Sequence, residues 1–168
     1  MDVTEAIFNR RSIRKYVPDS KIPPEHLKTI LSAAMHAPSA CNTRPWEFFV
    51  LESDSSKEAA MEILPYASHL RDASLGILVC ADSRRQTGIA QGFFPQDCGA
   101  AIENMLLQSL ALGYGSCWCG IYPHEDRARM FQEKFGIGST PIALVVIGKA
   151  AEQPACRGAY DESRVKIL

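Results

Sequence analysis

Hydrophobic positions recur along this chain with two distinct periods. After Ile22-Pro23-Pro24, the residues Leu27, Ile30, Leu31 and Ala34 return every three or four positions, Glu25 lies in the first turn, and Pro38 closes the run. This spacing predicts an amphipathic helix. A shorter helix is expected from Asp2 to about Arg10, its cationic end where the helix dipole favours positive charge. Trp46 to Leu51 is aromatic and β-branched, as a strand should be. Ser55-Ser56-Lys57-Glu58 fits a capping box opening a helix to about Leu64, ahead of Pro65. Leu75 to Ala81 and Pro141 to Gly148 are continuous apolar runs of strand length, expected to be buried on both faces. The longest helix is expected from Pro95 to Leu112. It is apolar on one side through Cys98, Ala101, Ile102, Met105 and Leu106 and on the other through Leu107, Leu110 and Ala111, which implies burial in a core or a subunit interface. A glycine-flanked strand should follow over Gly113–Ile121, then a helix opened by Pro123 and stopped by Gly136. Asp82 to Phe94 reads as a polar loop, and Lys149 to Leu168 as a polar tail.

Composition narrows this picture. A chain of 168 residues, 46% hydrophobic, is expected to form one domain over 1–168. Eighteen Lys and Arg against nineteen Asp and Glu leave a net charge of −1, so no global field draws the chain to nucleic acid or to an anionic membrane. Met1-Asp2-Val3-Thr4-Glu5 does not resemble a signal peptide, and no apolar run reaches the ~18 residues of a membrane span. A cytoplasmic location is therefore expected, with the six cysteines reduced.

Against that balance, Arg10-Arg11-Ser12-Ile13-Arg14-Lys15-Tyr16 concentrates four cations and a hydroxyl. In an extended chain Arg10, Ser12 and Arg14 share one face and Arg11, Ile13 and Lys15 the other; in a helix only Arg10 and Arg14 would coincide. The run is either a solvated basic surface or a site for a small anion, for which the planar guanidinium fork is suited. Cys117-x-Cys119 puts two thiols on one face of a strand without the two-residue gap of zinc or thioredoxin motifs, so no metal is expected. His26, His36, His69 and His124 have no ligand-spaced partners, and Cys41 is the thiol best placed for reactivity.

Taken in order, Arg10-Arg11-Ser12-Ile13-Arg14, Ala37-Pro38-Ser39-Ala40 with Asn42 and Pro45-Trp46, Gln96-Asp97, Gly115-Ser116-Cys117-Trp118 with Gly120, and Tyr160-Asp161-Glu162-Ser163-Arg164-Val165 resemble the nitroreductase family of FMN-dependent oxidoreductases. The resemblance implies an α+β fold, with a central, mostly antiparallel sheet flanked by helices, in an intertwined homodimer with FMN at the subunit interface. The alternation of elements alone would equally allow a doubly wound parallel sheet. By the same resemblance Arg10, Arg11, Ser12 and Arg14 hold the FMN phosphate and ribityl chain, and Arg14 approaches the pyrimidine end of the ring. Pro38, Ser39, Ala40 and Asn42 reach the flavin from the partner subunit, Trp118, Cys119 and Gly120 pass along the ring, and Arg157 or Arg164 adds a cation. Arg44 stands where the family often has a neutral residue. The implied activity is hydride transfer from NAD(P)H through FMN to a small electron-poor acceptor such as a nitroaromatic or a quinone. The alternative is a non-enzymatic flavin-binding protein acting as sensor, store or accessory subunit.

Overall fold

The computed structural model describes residues 1–156 and 158–168. Four strands, β1 (Trp46–Leu51), β2 (Leu75–Ala81), β3 (Gly115–Gly120) and β4 (Thr140–Gly148), form one sheet in the order β1-β2-β4-β3. Every neighbouring pair is antiparallel, with Trp46 opposite Ala81, Leu75 opposite Ile147 and Gly115 opposite Gly148. The parallel alternative is thereby excluded. Among the described residues five α-helices flank the sheet: α1 (Val3–Asn9), α2 (Pro24–Met35), α3 (Asp54–Ile63), α4 (Phe94–Ala111) and α5 (Glu125–Phe135).

The two apolar runs are the central strands, and strand alternation distributes their side chains between two cores. Leu75, Ile77, Val79 and Ala81 of β2, with Val145 and Ile147 of β4, pack beneath α2 and α4. Leu78, Cys80, Leu144 and Val146 point the other way, towards α3, α5 and a 3-10 segment at Pro65–Arg71. Each fully buried Leu or Ile here contributes about 1.5–3 kcal/mol relative to exposure.

Beyond shifts of one or two residues at the ends of α4 and β3, three features differ from expectation. Ser53, not Ser55, caps α3: its backbone is extended and its Oγ accepts from the Ser56 amide. Helix α5 begins at Glu125 with His124 as its cap, so Pro123 precedes the helix; its end at left-handed Gly136 is as expected. Residues 82–94 contain two 3-10 turns, Ser83–Arg85 and Gly88–Ala90, and bury Gln86 and Ala90. Among the described residues no helix is long and apolar enough to cross a membrane.

Candidate functional site at the edge of β3

Strand β3 ends the sheet, and the basic run occupies its open edge. Ser12 bridges Ser116 in parallel, the Ile13 amide donates to the Ser116 carbonyl at 2.9 Å, and Tyr16 bridges Ala150 just beyond β4. Two glycines permit this approach. A Cβ on Gly115 would lie 2.8 Å from Ile13 Cγ1, and one on Gly148 would lie 2.9 Å from the Ser74 amide nitrogen and 3.0 Å from Tyr16 Cδ1. The buried Tyr16 hydroxyl donates to the Ile13 carbonyl at 2.8 Å, and burial holds its phenol well above the usual range.

The cations are not equivalent. Arg10 caps the end of α1 and uses Nε to bind Glu103 Oε1 on α4 at 3.1 Å, which orients the guanidinium while its two terminal amino groups stay outside that bond. Arg11 turns back and donates to the Phe8 and Arg10 carbonyls, both at 2.7 Å, and its buried Nε has no partner among the described residues. The period-two reading holds only as far as Ile13. Glu152 Oε1 accepts from the amides of both Arg14 and Lys15, at 2.6 and 3.1 Å, so both side chains are exposed while Ile13 and Tyr16 are buried.

The loop after α2 is held by a buried acid. Asp97, in the first turn of α4, accepts from the Ala40 amide at 3.0 Å with Oδ1 and from Gln86 Nε2 at 2.7 Å with Oδ2, while Gln86 Oε1 accepts from the Phe94 amide. Ser39 Oγ accepts from the Arg44 amide, and Arg44 Nε donates to Asn42 Oδ1 at 2.9 Å, so the charge of Arg44 is bound within the loop. Cys41, Asn42 and Arg44 all have left-handed backbones, a concentration of strain that the Asp97 and Ser39 bonds sustain. Pro38 leads into this turn. The basic run and the Gln96-Asp97 pair are visible in the sequence, whereas the role of Gln86 has no local signal.

On β3 itself, Trp118 and Gly120 face outward, and Trp118 stays 39% exposed beside Gly99 of α4. The Cys119 side chain points into the opposite core, so it offers the outer face its backbone. There Cys117, Cys119 and His69 bring their ligand atoms within 4.8 Å of one another, although strand spacing gave no hint of a third member. A hydrogen bond from the Cys119 thiol, with further help from His69, lowers the Cys117 thiol below its ordinary range, and the same bond together with burial raises Cys119. Arg164 is tied to Asp161 at 2.9 Å in an exposed turn, and Arg157 lies outside the described residues.

A profile described as the nitroreductase family matches residues 7–68 and 63–149, most of the chain from the end of α1 through β4. The chain belongs to the nitroreductase family. A Methanothermobacter thermautotrophicus protein, provisionally named an NADH dehydrogenase/NAD(P)H nitroreductase, is 41% identical over 169 residues, covering 99% of this chain and 87% of the relative. A Lactiplantibacillus plantarum protein named a CLA biosynthesis enone reductase is 38% identical, covering 95% of this chain and 91% of its own. A Desulfovibrio desulfuricans protein, provisionally named a nitroreductase and crystallised in complex with FMN, superimposes with a TM-score of 0.88 at 27% identity, covering 100% of this chain and 97% of that one. This nitroreductase-family chain therefore shares the fold of its relatives over nearly its whole length.

Proposed function

We propose that the chain is one FMN-binding domain and an NAD(P)H-dependent oxidoreductase acting on small electron-poor molecules: nitroaromatics, quinones or activated alkenes. The observation that carries this reading is the basic run fastened to the edge of β3 with Arg10 oriented by Glu103. The donors suit a flavin mononucleotide. Arg10 offers two terminal amino groups, Arg11 an orphaned Nε and Ser12 a hydroxyl, and Arg14 has no ion-pair partner among the described residues. A phosphate dianion satisfies such donors with charge-assisted hydrogen bonds. FMN, when bound, supplies the hydride-accepting centre. Arg10, Ser12 and Arg11 would hold its phosphate and ribityl chain, and Arg14 would place positive charge near the pyrimidine end, favouring the electron-rich form. Trp118 and Gly120 give the ring an aromatic neighbour and close backbone, and the 82–94 segment would border the acceptor's access. The enone reductase name among the relatives supports extending the acceptor class to activated alkenes.

A homodimer completes the site in this reading. Val3, Ile7 and Phe8 of α1 and Tyr160, Val165 and Ile167 of the tail are exposed, and a groove of about 320 Å³ runs between Val3 and Ala6 on one side and Leu107 and Ala111 on the other. Apolar surface left open on α1, beside the groove and on the tail fits a second copy, whose Ser39–Asn42 loop would then reach the flavin. A cytoplasmic setting agrees with six unpaired cysteines. The test is an anaerobic absorbance titration of the purified protein with NADH and NADPH. Flavin absorbance that bleaches with either nicotinamide supports the assignment. A bound flavin that resists both favours a non-enzymatic flavin protein, and failure to bind added FMN refutes the site.

A further inference from the structure

The His69, Cys117 and Cys119 side chains cluster on the face of β3 opposite Trp118 and have no part in the proposed flavin site. We propose that these three side chains form a site for a thiophilic cation of the zinc class, clipping the 65–71 segment to the inner face of β3.

The geometry is close to what such an ion requires. A tetrahedral zinc with bonds of about 2.3 Å to sulfur and 2.0–2.1 Å to nitrogen separates its sulfurs by ~3.8 Å and a sulfur from a nitrogen by ~3.6 Å. Cys119 Sγ lies 3.7 Å from His69 Nε2, and all the ligand atoms are within 4.8 Å of one another, so movements of about 1 Å or less would close the set. The thiols are placed by the strand, since Cys117 and Cys119 occupy alternate positions of β3 and share its inner face. The imidazole is placed by Tyr16, whose ring stacks on His69 with centroids 6.2 Å apart and planes 22° apart, leaving Nε2 towards the sulfurs.

Charge favours the same occupant. Two thiolates, a neutral imidazole and a divalent cation sum to zero, which a site whose cysteines lie opposite Val146 and Leu144 in a buried core tolerates far better than a bare ion. A neutral assembly also escapes repulsion from Arg14, whose guanidinium acts on both sulfurs. Direct Cys117–Cys119 cross-linking is less favourable: alternate residues of a strand have Cα atoms about 6.7 Å apart, at the outer limit for a disulfide. The site has three protein ligands and a half-buried histidine, so a fourth position remains for water. Its role would be structural. The same segment donates through the Tyr66 hydroxyl to the Gly120 carbonyl, so an ion at His69 would give it a second tie to β3.

The test uses the reduced, flavin-containing protein, freed of metal on a chelating resin under argon and titrated with cobalt(II). Expected are thiolate-to-cobalt charge transfer and tetrahedral d–d bands to the red of the flavin, saturating near one cobalt per chain and abolished by zinc. His69→Gln and Cys117→Ser should each weaken cobalt binding by more than ~100-fold, the upper cost of losing a mere outer-shell partner, while Cys156→Ser should not change it. Unchanged far-ultraviolet circular dichroism and a cooperative thermal transition establish that a variant has folded. The proposal is overturned by an absence of thiolate bands, by bands that survive both ligand substitutions, by bands that vanish with Cys156→Ser, or by a Cys117–Cys119 disulfide that persists under reductant. It does not depend on the flavin reading. Cobalt bands in a protein that binds no FMN would refute that reading and leave this one standing.

Discussion

Replacing Gly115 by alanine tests whether the basic run is held rigidly against β3. The new Cβ would lie 2.8 Å from Ile13 Cγ1, 3.0 Å from Ile13 Cβ and 3.0 Å from the Ala150 Cβ. Carbon contacts are comfortable at about 3.5–4.0 Å, so the overlap with Ile13 is roughly 0.7 Å. Ile13 has little room to yield: it is β-branched, 7% exposed, and its amide is bound to Ser116. Relief requires either strain in place or movement of the run away from the strand, and overpacking of this kind costs about 1–3 kcal/mol. Strain kept in place lowers Tm by roughly 2–4 °C per kcal/mol for a chain of this size. Movement of the run instead weakens FMN binding, by about 5- to 150-fold if the whole cost falls there. Thermal unfolding of the flavin-free protein and fluorescence titration with FMN read the two outcomes separately. Gly138→Ala, where nothing lies within 4 Å of the new Cβ, is the control. A Gly115→Ala protein unchanged on both readouts would refute the claim that this close approach organises the site.

Asp97→Ala leaves the Ala40 amide and the Gln86 side chain without their acceptor; urea unfolding should show a loss of about 1–3 kcal/mol, with weaker FMN binding, and Asp97→Asn should lose less. Arg14→Gln should lower the flavin midpoint potential by on the order of 30 mV, equivalent to about 1.4 kcal/mol for two electrons, and Arg14→Lys by less; spectroelectrochemistry that finds no change removes Arg14 from that role. Burial pushes the Cys80 and Cys98 thiols up to about 12 from an ordinary value of 9.0. Between those limits the unfolded chain has lost protons that the folded one keeps, so the stability present below pH 9 falls as pH rises, by about 1.4 kcal/mol per pH unit for each thiol. Urea midpoints compared at neutral and alkaline pH should show this fall, reduced in Cys98→Ala, and an unchanged midpoint would contradict it.

What could be read from the chain was whatever depends on neighbours in sequence. Leu75–Ala81 announces a buried central strand because every residue is apolar, and β1 matches its expected limits because Pro45 precedes it and aromatics fill it. Strand direction was not legible: helix and strand alternation fits parallel and antiparallel sheets alike, and only the pairing of β2 with β4, far apart in the chain, decides between them. The cap of α3 is ambiguous in the sequence because three serines precede Lys57 and only Ser55 has a glutamate three residues on; the extended backbone at Ser53 selects that residue instead.

The site divides along the same line. Arg10, Ser12 and Arg14 are legible as an anion site because their chemistry is concentrated within five residues, but Arg11 and Arg10 differ only through contacts the run cannot reveal, one with carbonyls of its own helix and one with Glu103. Asp97 reaches Ala40 across 57 positions, and His69 reaches Cys119 across 50, so no spacing rule could have found either pair. A β3 edge left open by Gly115 admits the basic run, its outer face presents Trp118 and Gly120, and its inner face gathers two thiols against His69. Since alternate residues of a strand cannot exchange faces without a register slip, Trp118 and Cys119 are bound to opposite roles, and a change on either face must reach the other through the backbone of Cys119 itself.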